Sequence, residues 1–439
     1  MSSLTRLNEA RERSPCLGEE EAEMRAMGKQ RRVLLDVLMA CWGLGSWLGV
    51  NGVFMQLPLL VQRLPEGWAL PSYISVVIQL ANVGVVLYVV LRRLFPRAPD
   101  APYIYALLVI GTLALFLNGF LYAETALVAG TERSVSFLSI TFFTGFVGCT
   151  SSVLFYPYLR HFRDVYLATY LVGEGLGGLL PSVLSLLQGT GGEPRCDYGP
   201  DNATVETVYP EARFDTTVFM AVLGVLSALS LGSFALLHNL ATLLPERVKP
   251  AEADKEDEAA AEGAVLLAPR WLTVMALMTV LNALMNGVLP SVQSYSCMPY
   301  GAEAYHLAVT LCAMANPAAC LAGVWLRPVR GRVLAAMLGA GLLPLAYLLA
   351  TALLSPAPPL HKETSGRALI VVAWVVVYAV ISYARMWVYE WARGGGAAGM
   401  RACGVVTQVG SAAGSLSIYF LVNYTRMFVQ APPCPLPRL

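Results

Sequence analysis

Apolar stretches long enough to cross a bilayer recur eleven times, at about 33–56, 72–92, 102–123, 135–158, 165–187, 215–243, 270–294, 303–326, 333–353, 368–390 and 401–424. About 20 mostly apolar residues in helical form span the hydrocarbon. No water there bonds backbone N–H and C=O groups, so spanning segments are helices or a closed barrel. A barrel would show short alternating strands, which this chain lacks. The expected fold is all-α and polytopic, with eleven transmembrane helices. Composition agrees: 56% of the residues are hydrophobic and 13% charged, against about a quarter charged in soluble domains. A formal net charge of +1 argues against a nucleic-acid partner.

Lys and Arg set the orientation. An inner N-terminus places Lys29, Arg31, Arg32, Arg92, Arg93, Arg97, Arg327, Arg330 and Arg332 in the cytosol. Counted over all loops, cations favour that side by about two to one. Residues 1–32 read as a cytosolic tail and not a cleaved leader, because the polar head is long and the apolar segment runs past 50. The expected organisation is a first half at 33–243 with six spans, a cytosolic linker at 244–269, a second half at 270–424 with five, and an outer tail at 425–439. Asn202 heads an Asn-Ala-Thr glycosylation sequon in the loop 188–214, which this topology puts outside.

An Asn-Gly pair occurs twice inside the spans. Asn51-Gly52 and Asn286-Gly287 are 235 positions apart, and a proline follows each, Pro58 and Pro290. Asn82 and Asn316 are offset by 234, as are Glu174 and Gln408. Three polar landmarks at nearly one offset imply a tandem duplication in which the seventh span copies the first. Six spans and an inner linker give the copies parallel topology (6+5), as in the halves of major-facilitator transporters. Polar, breakable helix in hydrocarbon is costly unless it lines a cavity. Such segments at corresponding positions of two halves point to a transport site.

No catalytic constellation emerges. HExxH, GxSxG and Walker motifs are missing, and there are four histidines, so the chain does not read as an enzyme. No cofactor and no metal are expected; the nine cysteines show no metal-ligand spacing. Cys196, Cys297 and Cys434 fall on the outer side, where one disulfide among them is open, with no pair singled out. The intramembrane amides Asn51, Gln56, Asn82, Asn282, Asn286, Gln293, Asn316 and Gln408 offer both donors and acceptors. They suit a neutral, planar, hydrogen-bonding solute. Interhelical bonding is the competing reading for each of them. Trp47 and Tyr295 are stacking candidates. Glu174, between Gly173 and Gly175, is a further contact candidate, with a structural hydrogen bond as the alternative. Asp36 and Arg385 lie near cytosolic ends and can snorkel, which points to a structural or gating role ahead of substrate contact. His306 titrates in the physiological range and is a candidate pH sensor.

These motifs resemble the riboflavin transporters, solute carrier family 52. The likeness runs through Gly-Ser-Trp at 45–47, Asn51-Gly52, Leu-Pro-Glu-Gly-Trp at 64–68, Gly-Glu-Gly-Leu at 173–176, Asn286-Gly287, the run from Pro290 to Cys297, and Ala304-Tyr305-His306. It implies sodium-independent uptake of riboflavin (vitamin B2) at the plasma membrane, eleven spans, and a fold like equilibrative nucleoside transporters. Alternating access between the halves, a monomer in the lipid bilayer, and use of some members by retroviral envelopes go with it. A transporter of another planar solute such as a nucleoside, or a receptor without transport, are the alternatives. Departures from the family are specific. Relatives commonly carry Glu at Gln56, and Lys at Arg385. The loop 354–366 lacks the Cys that relatives often pair with the tail, which leaves Cys434 without its family partner.

Overall fold

A computed structural model describes residues 33–159, 161–162, 165–190, 192, 194–198, 205–240, 269–325, 330–393, 396–431 and 434. Asn202, the tail 1–32 and the linker from 244 to 268 lie outside the described residues. The first apolar stretch folds as two helices, α1 (Val33–Leu44) and α2 (Leu48–Arg63), bent by 52°. At the break the Gly43 carbonyl accepts from the Ser46 hydroxyl at 2.8 Å and from the Ser46 N–H at 3.2 Å, a side-chain bond that reinforces the turn. The second stretch is also broken, into α3 (Leu70–Leu80) and α4 (Val83–Leu94), with Ala81 and Asn82 between them. Then come α5 (Ala101–Leu121), α6 (Val135–Leu159), α7 (Val165–Gln188) and α8 (Thr216–Asn239).

The second half begins with α9 (Pro269–Ala283), a π-helical turn at Leu284–Val288, and α10 (Leu289–Cys297). It continues with α11 (Ala302–Trp325), α12 (Gly331–Leu353), α13 (Thr364–Arg393) and α14 (Gly396–Tyr424). Among the described residues nine helices are long and apolar enough to cross a membrane, ten when the bent α1–α2 pair counts as one span. Helix α11, at the eighth expected stretch, has 24 residues and is not among those nine.

The expectation of a purely helical chain needs one correction. Two short hairpins join helices: β1 (Ala126–Val128) with β2 (Thr131–Arg133), and β3 (Arg195–Tyr198) with β4 (Val205–Val208). Ala129 and Gly130, both at positive φ (52° and 79°), form the two-residue turn that matches strand twist. Periodicity over three or four residues was too short to reveal them.

Helix α5 packs on α6 and α8, and α2 on α6, α7 and α8. In the second half α13 packs on α11 and α12, and α14 on α9. The halves meet where α3 touches α10 and α14, and where α11 touches α2 and α7. Fully buried Trp42 gathers the helices at one end of the first half, with Phe155 and Tyr170 at 5.1 Å and Phe234 at 5.2 Å between ring centroids.

Cys434 is not left single: it bonds Cys196, 238 positions away. Strand β3 carries Cys196 to the tail, while Cys297 is free and buried at the end of α10. The sequence showed that the usual loop partner was missing but not that a hairpin would supply another. This disulfide crosses from the first half to the segment after the second. A protease site inserted into 244–268 should therefore give two fragments that migrate together on a denaturing gel until thiol is added. Separation without reductant would place the bond elsewhere.

Candidate solute-binding site

In the first half, Asn51 on α2 donates to the Gly177 carbonyl on α7 at 3.2 Å. Glycines of α7 admit the preceding helix α1 just before the bend: a Cβ on Gly173 would strike the Ala40 carbonyl, and one on Gly177 the Leu44 carbonyl. One residue on from Gly173, Glu174 accepts from the Tyr156 hydroxyl at 3.0 Å, with the Trp47 indole a second donor toward it. Trp47 also lies against Gly148 of α6. The break in the first span therefore brings Trp47, Tyr156 and Glu174 together.

The second half repeats the clamp. Asn286, in the π turn, donates to the Ser411 hydroxyl on α14 at 2.9 Å and reaches Asn282 Oδ1 at 3.3 Å. Asn282 is fully buried and donates to the Met278 carbonyl at 2.8 Å and toward the Thr407 hydroxyl of α14 at 3.4 Å. The Ser415 hydroxyl donates to the Asn286 carbonyl at 3.2 Å, and a Cβ on Gly414 would strike the Ala283 carbonyl. Asn286 lies 235 positions after Asn51, and Ser411 lies 234 after Gly177. The two Asn residues thus bond helices at corresponding places in the sequence.

Gln56 and Tyr295 are placed elsewhere. Gln56 is fully buried, donates to Gln188 Oε1 at 2.7 Å and accepts from the Thr216 hydroxyl at 2.9 Å. Gln188 in turn donates to the Phe214 carbonyl at 3.0 Å, so α2, α7 and α8 close on one amide network. Tyr295 packs between Trp68 (5.9 Å) and Phe428 (5.4 Å). This is part of a seam between the halves. Ser294 donates to the Trp68 carbonyl at 2.6 Å, Asn423 to the Ser72 hydroxyl at 3.0 Å, and the Trp68 N–H to Gln430 at 3.0 Å. Gly67, at φ +54°, leaves no room for a Cβ beside Gln430.

The remaining candidates are scattered. Asn82, at the break between α3 and α4, donates to the Gln79 carbonyl at 3.2 Å, while its Oδ1 is buried without a partner. Gln293 is buried and its Nε2 is likewise unpartnered. His306 is buried on α11. Gln408 is exposed on α14, one turn after exposed Gly404. Asn316 belongs to α11, but its side chain lies outside the described residues. No metal-binding group of three or more His, Cys, Asp or Glu occurs among the described residues. Sequence reasoning missed Tyr156, Thr407 and Ser411. The last two were within reach, since they stand at the repeat offset from Gly173 and Gly177.

Comparison with known proteins places the chain. A family model described as solute carrier family 52, riboflavin transporter, matches residues 31–430. The chain belongs to the solute carrier family 52 riboflavin transporters. It is 36% identical over 445 residues to member 3-B of Danio rerio, covering 91% of this chain and 98% of that one. It is 37% identical to member 1 of Homo sapiens, covering 92% and 97%, and 36% identical to human member 2, covering 94% and 99%. The family is one of transporters and not enzymes. In fold the chain is similar to the nucleoside transporter NupG, at a TM-score of 0.56 and 13% identity over 90% of this chain and 92% of that one. A D-xylose–proton symporter gives a TM-score of 0.57 at 11% identity over 88% and 89%.

The clamp geometry yields a stability test. Asn286→Ala removes one interhelical hydrogen bond and should cost about 1 kcal/mol of thermal stability in detergent. Gly414→Leu, which must part α14 from Ala283, should cost more. An Asn286→Ala variant of wild-type stability that no longer binds solute would put that amide on the solute instead of the helix.

Proposed function

We propose that this protein takes up riboflavin across the plasma membrane by alternating access, without sodium. The observation that carries the reading is the family match over residues 31–430, with full-length relatives named as riboflavin transporters. The proposed architecture is eleven spans in two parallel repeats of six and five, N-terminus inside and C-terminus outside. The matching clamps support the repeat: Asn51 with Gly177, Asn286 with Ser411. So does the packing between halves, where α3 meets α14 and α11 meets α7, contacts that exchange when the repeats are exchanged.

On that orientation the seam of Trp68, Ser72, Ser294, Tyr295 and Asn423 closes the outer end, and the inner end is where solute leaves. Trp47 offers the isoalloxazine a stacking face, with Glu174 beside it and Gln408 at the equivalent place on α14. Asn82, Gln293 and Asn316 are secondary contacts, and His306 a candidate for pH response. The Asn51, Asn282, Asn286 and Gln56 amides hold the frame around this site, and Tyr295 the outer closure. Asn202 carries the glycan. The protein acts as a monomer in the bilayer, and its outer hairpins are where an envelope protein would bind.

Labelled riboflavin uptake into expressing cells should exceed an empty control and persist when choline replaces sodium. Unlabelled lumiflavin should compete, and nucleosides should not. Competition by nucleosides alone would make the solute a nucleoside. Uptake equal to the control, with the protein at the surface, would make it a receptor without transport.

A further inference from the structure

The amides of the candidate site have few donors to spare. Asn51, Gln56, Asn282 and Asn286 each spend an N–H on another helix or on a carbonyl of their own. Gln293 keeps an unpartnered Nε2, and one charged side chain also has an unspent donor. Arg385 sits in α13, eight residues before its end at Arg393, about 12 Å up the helix at 1.5 Å per residue. Among the described residues its buried Nε has no hydrogen-bond partner and no carboxylate is paired with it. An intramembrane arginine carries an insertion cost, and such residues face a bundle interior or a water-filled path and meet a partner there.

The helix shows which way it faces. Tyr378, Ser382, Arg385 and Tyr389 are spaced i, i+4, i+7 and i+11, so they share one face of α13. Tyr378 interacts with Cys312 of α11 and Cys297 of α10. Tyr389 interacts with Tyr156 of the first half, which donates to Glu174. Arg385 itself interacts with Cys403 of α14, and Ser382 Oγ is buried without a partner. This face therefore points into the bundle, where its Tyr389 comes near Tyr156. It does not point to lipid.

We infer that Arg385 reads the carbonyl edge of the transported ring and so sets specificity for planar solutes with in-plane acceptors; this rests on the riboflavin reading above. A guanidinium has five donors in a plane and no acceptor, and it forks onto two acceptors that lie in one plane. The pyrimidine edge of isoalloxazine presents two carbonyl oxygens flanking one N–H, an acceptor-rich edge that a planar fork of donors suits. Stacking on Trp47 and a fork from Arg385 fix the ring from its face and from its edge. Lysine keeps the charge but presents one compact ammonium and loses the fork.

The test compares riboflavin with its 2-thio and 4-thio analogues, in which sulfur is the weaker acceptor. Kinetics are measured on cells and normalised to surface protein. Wild type should prefer riboflavin to at least one analogue. Arg385→Gln should raise the riboflavin KM roughly 10- to 100-fold, the range for a charged hydrogen bond, and abolish the preference. Arg385→Lys keeps the membrane-embedded charge and so reports even if the Gln variant fails to reach the surface; it should also lose the preference. Wild-type KM and preference in Arg385→Lys would overturn the inference while leaving riboflavin transport standing. Failure of the wild type to take up riboflavin would overturn both.

Discussion

The arrangement depends on how closely the broken first span, α1 with α2, approaches α7, and how closely α9 approaches α14. Between helices in lipid there is no hydrophobic driving force, so contact rests on packing of small residues and on interhelical hydrogen bonds. Here both devices act at one place. Gly173 and Gly414 let backbones touch where any Cβ would collide, and Asn51 and Asn286 each bond the helix so admitted. The neighbouring breaks follow from this. A bend between α1 and α2 and a π turn before α10 both sit beside an amide that the facing helix satisfies. Interrupted backbone at membrane depth is tolerated where protein covers it. Each break then aims side chains inward, Trp47 in one half and Asn286 in the other.

Around these two clamps the hydrogen bonds between the halves gather at one end. Ser294, Asn423 and Gln430 reach across to the loop and helix start at Trp68 and Ser72. The loop is fixed from its own side by Glu66, whose carboxylate accepts from the Ser134 N–H and hydroxyl at 2.8 Å each, at the head of α6. The tail then runs over the same end, with Ser355 bonding the Val429 carbonyl at 2.7 Å, and finishes in the disulfide to Cys196. Ten residues from 425 to 434 can extend to about 30 Å, so the disulfide is a long tether, while the hydroxyl and ring contacts hold this end together directly.

Much of this was legible in the sequence, for a definite reason. Hydrocarbon imposes a length and a polarity on every span, so the eleven stretches and the repeated Asn-Gly pair stood out without any tertiary knowledge. Family membership was legible too, from motifs such as Gly-Glu-Gly-Leu at 173–176. Partners were not legible. An amide in a span reads the same whether it faces a solute or another helix, and only the fold shows Gln56 meeting Gln188 and Thr216. Tyr156 was hidden because its meaning depends on Glu174, 18 positions away on another helix. The Cys196–Cys434 bond was hidden because a four-residue strand sets it.

Gln56 shows how a departure from the family fits its surroundings. The side chain is fully buried and uses both ends of its amide, donating to Gln188 and accepting from Thr216. Gln188 is then committed in one orientation, its own Nε2 on the Phe214 carbonyl. A carboxylate at this position has no donor, so Gln188 would have to turn its amide around and surrender the Phe214 carbonyl. A buried ionised carboxylate would also lack a cation, since the groups bonded to Gln56 are neutral, and an unpaired charge there is far costlier than an amide. The Glu that relatives carry thus requires a different set of neighbours or a bound proton. In this chain the network is complete while neutral. The amide at position 56 binds α2 to α7 and α8 without any titration.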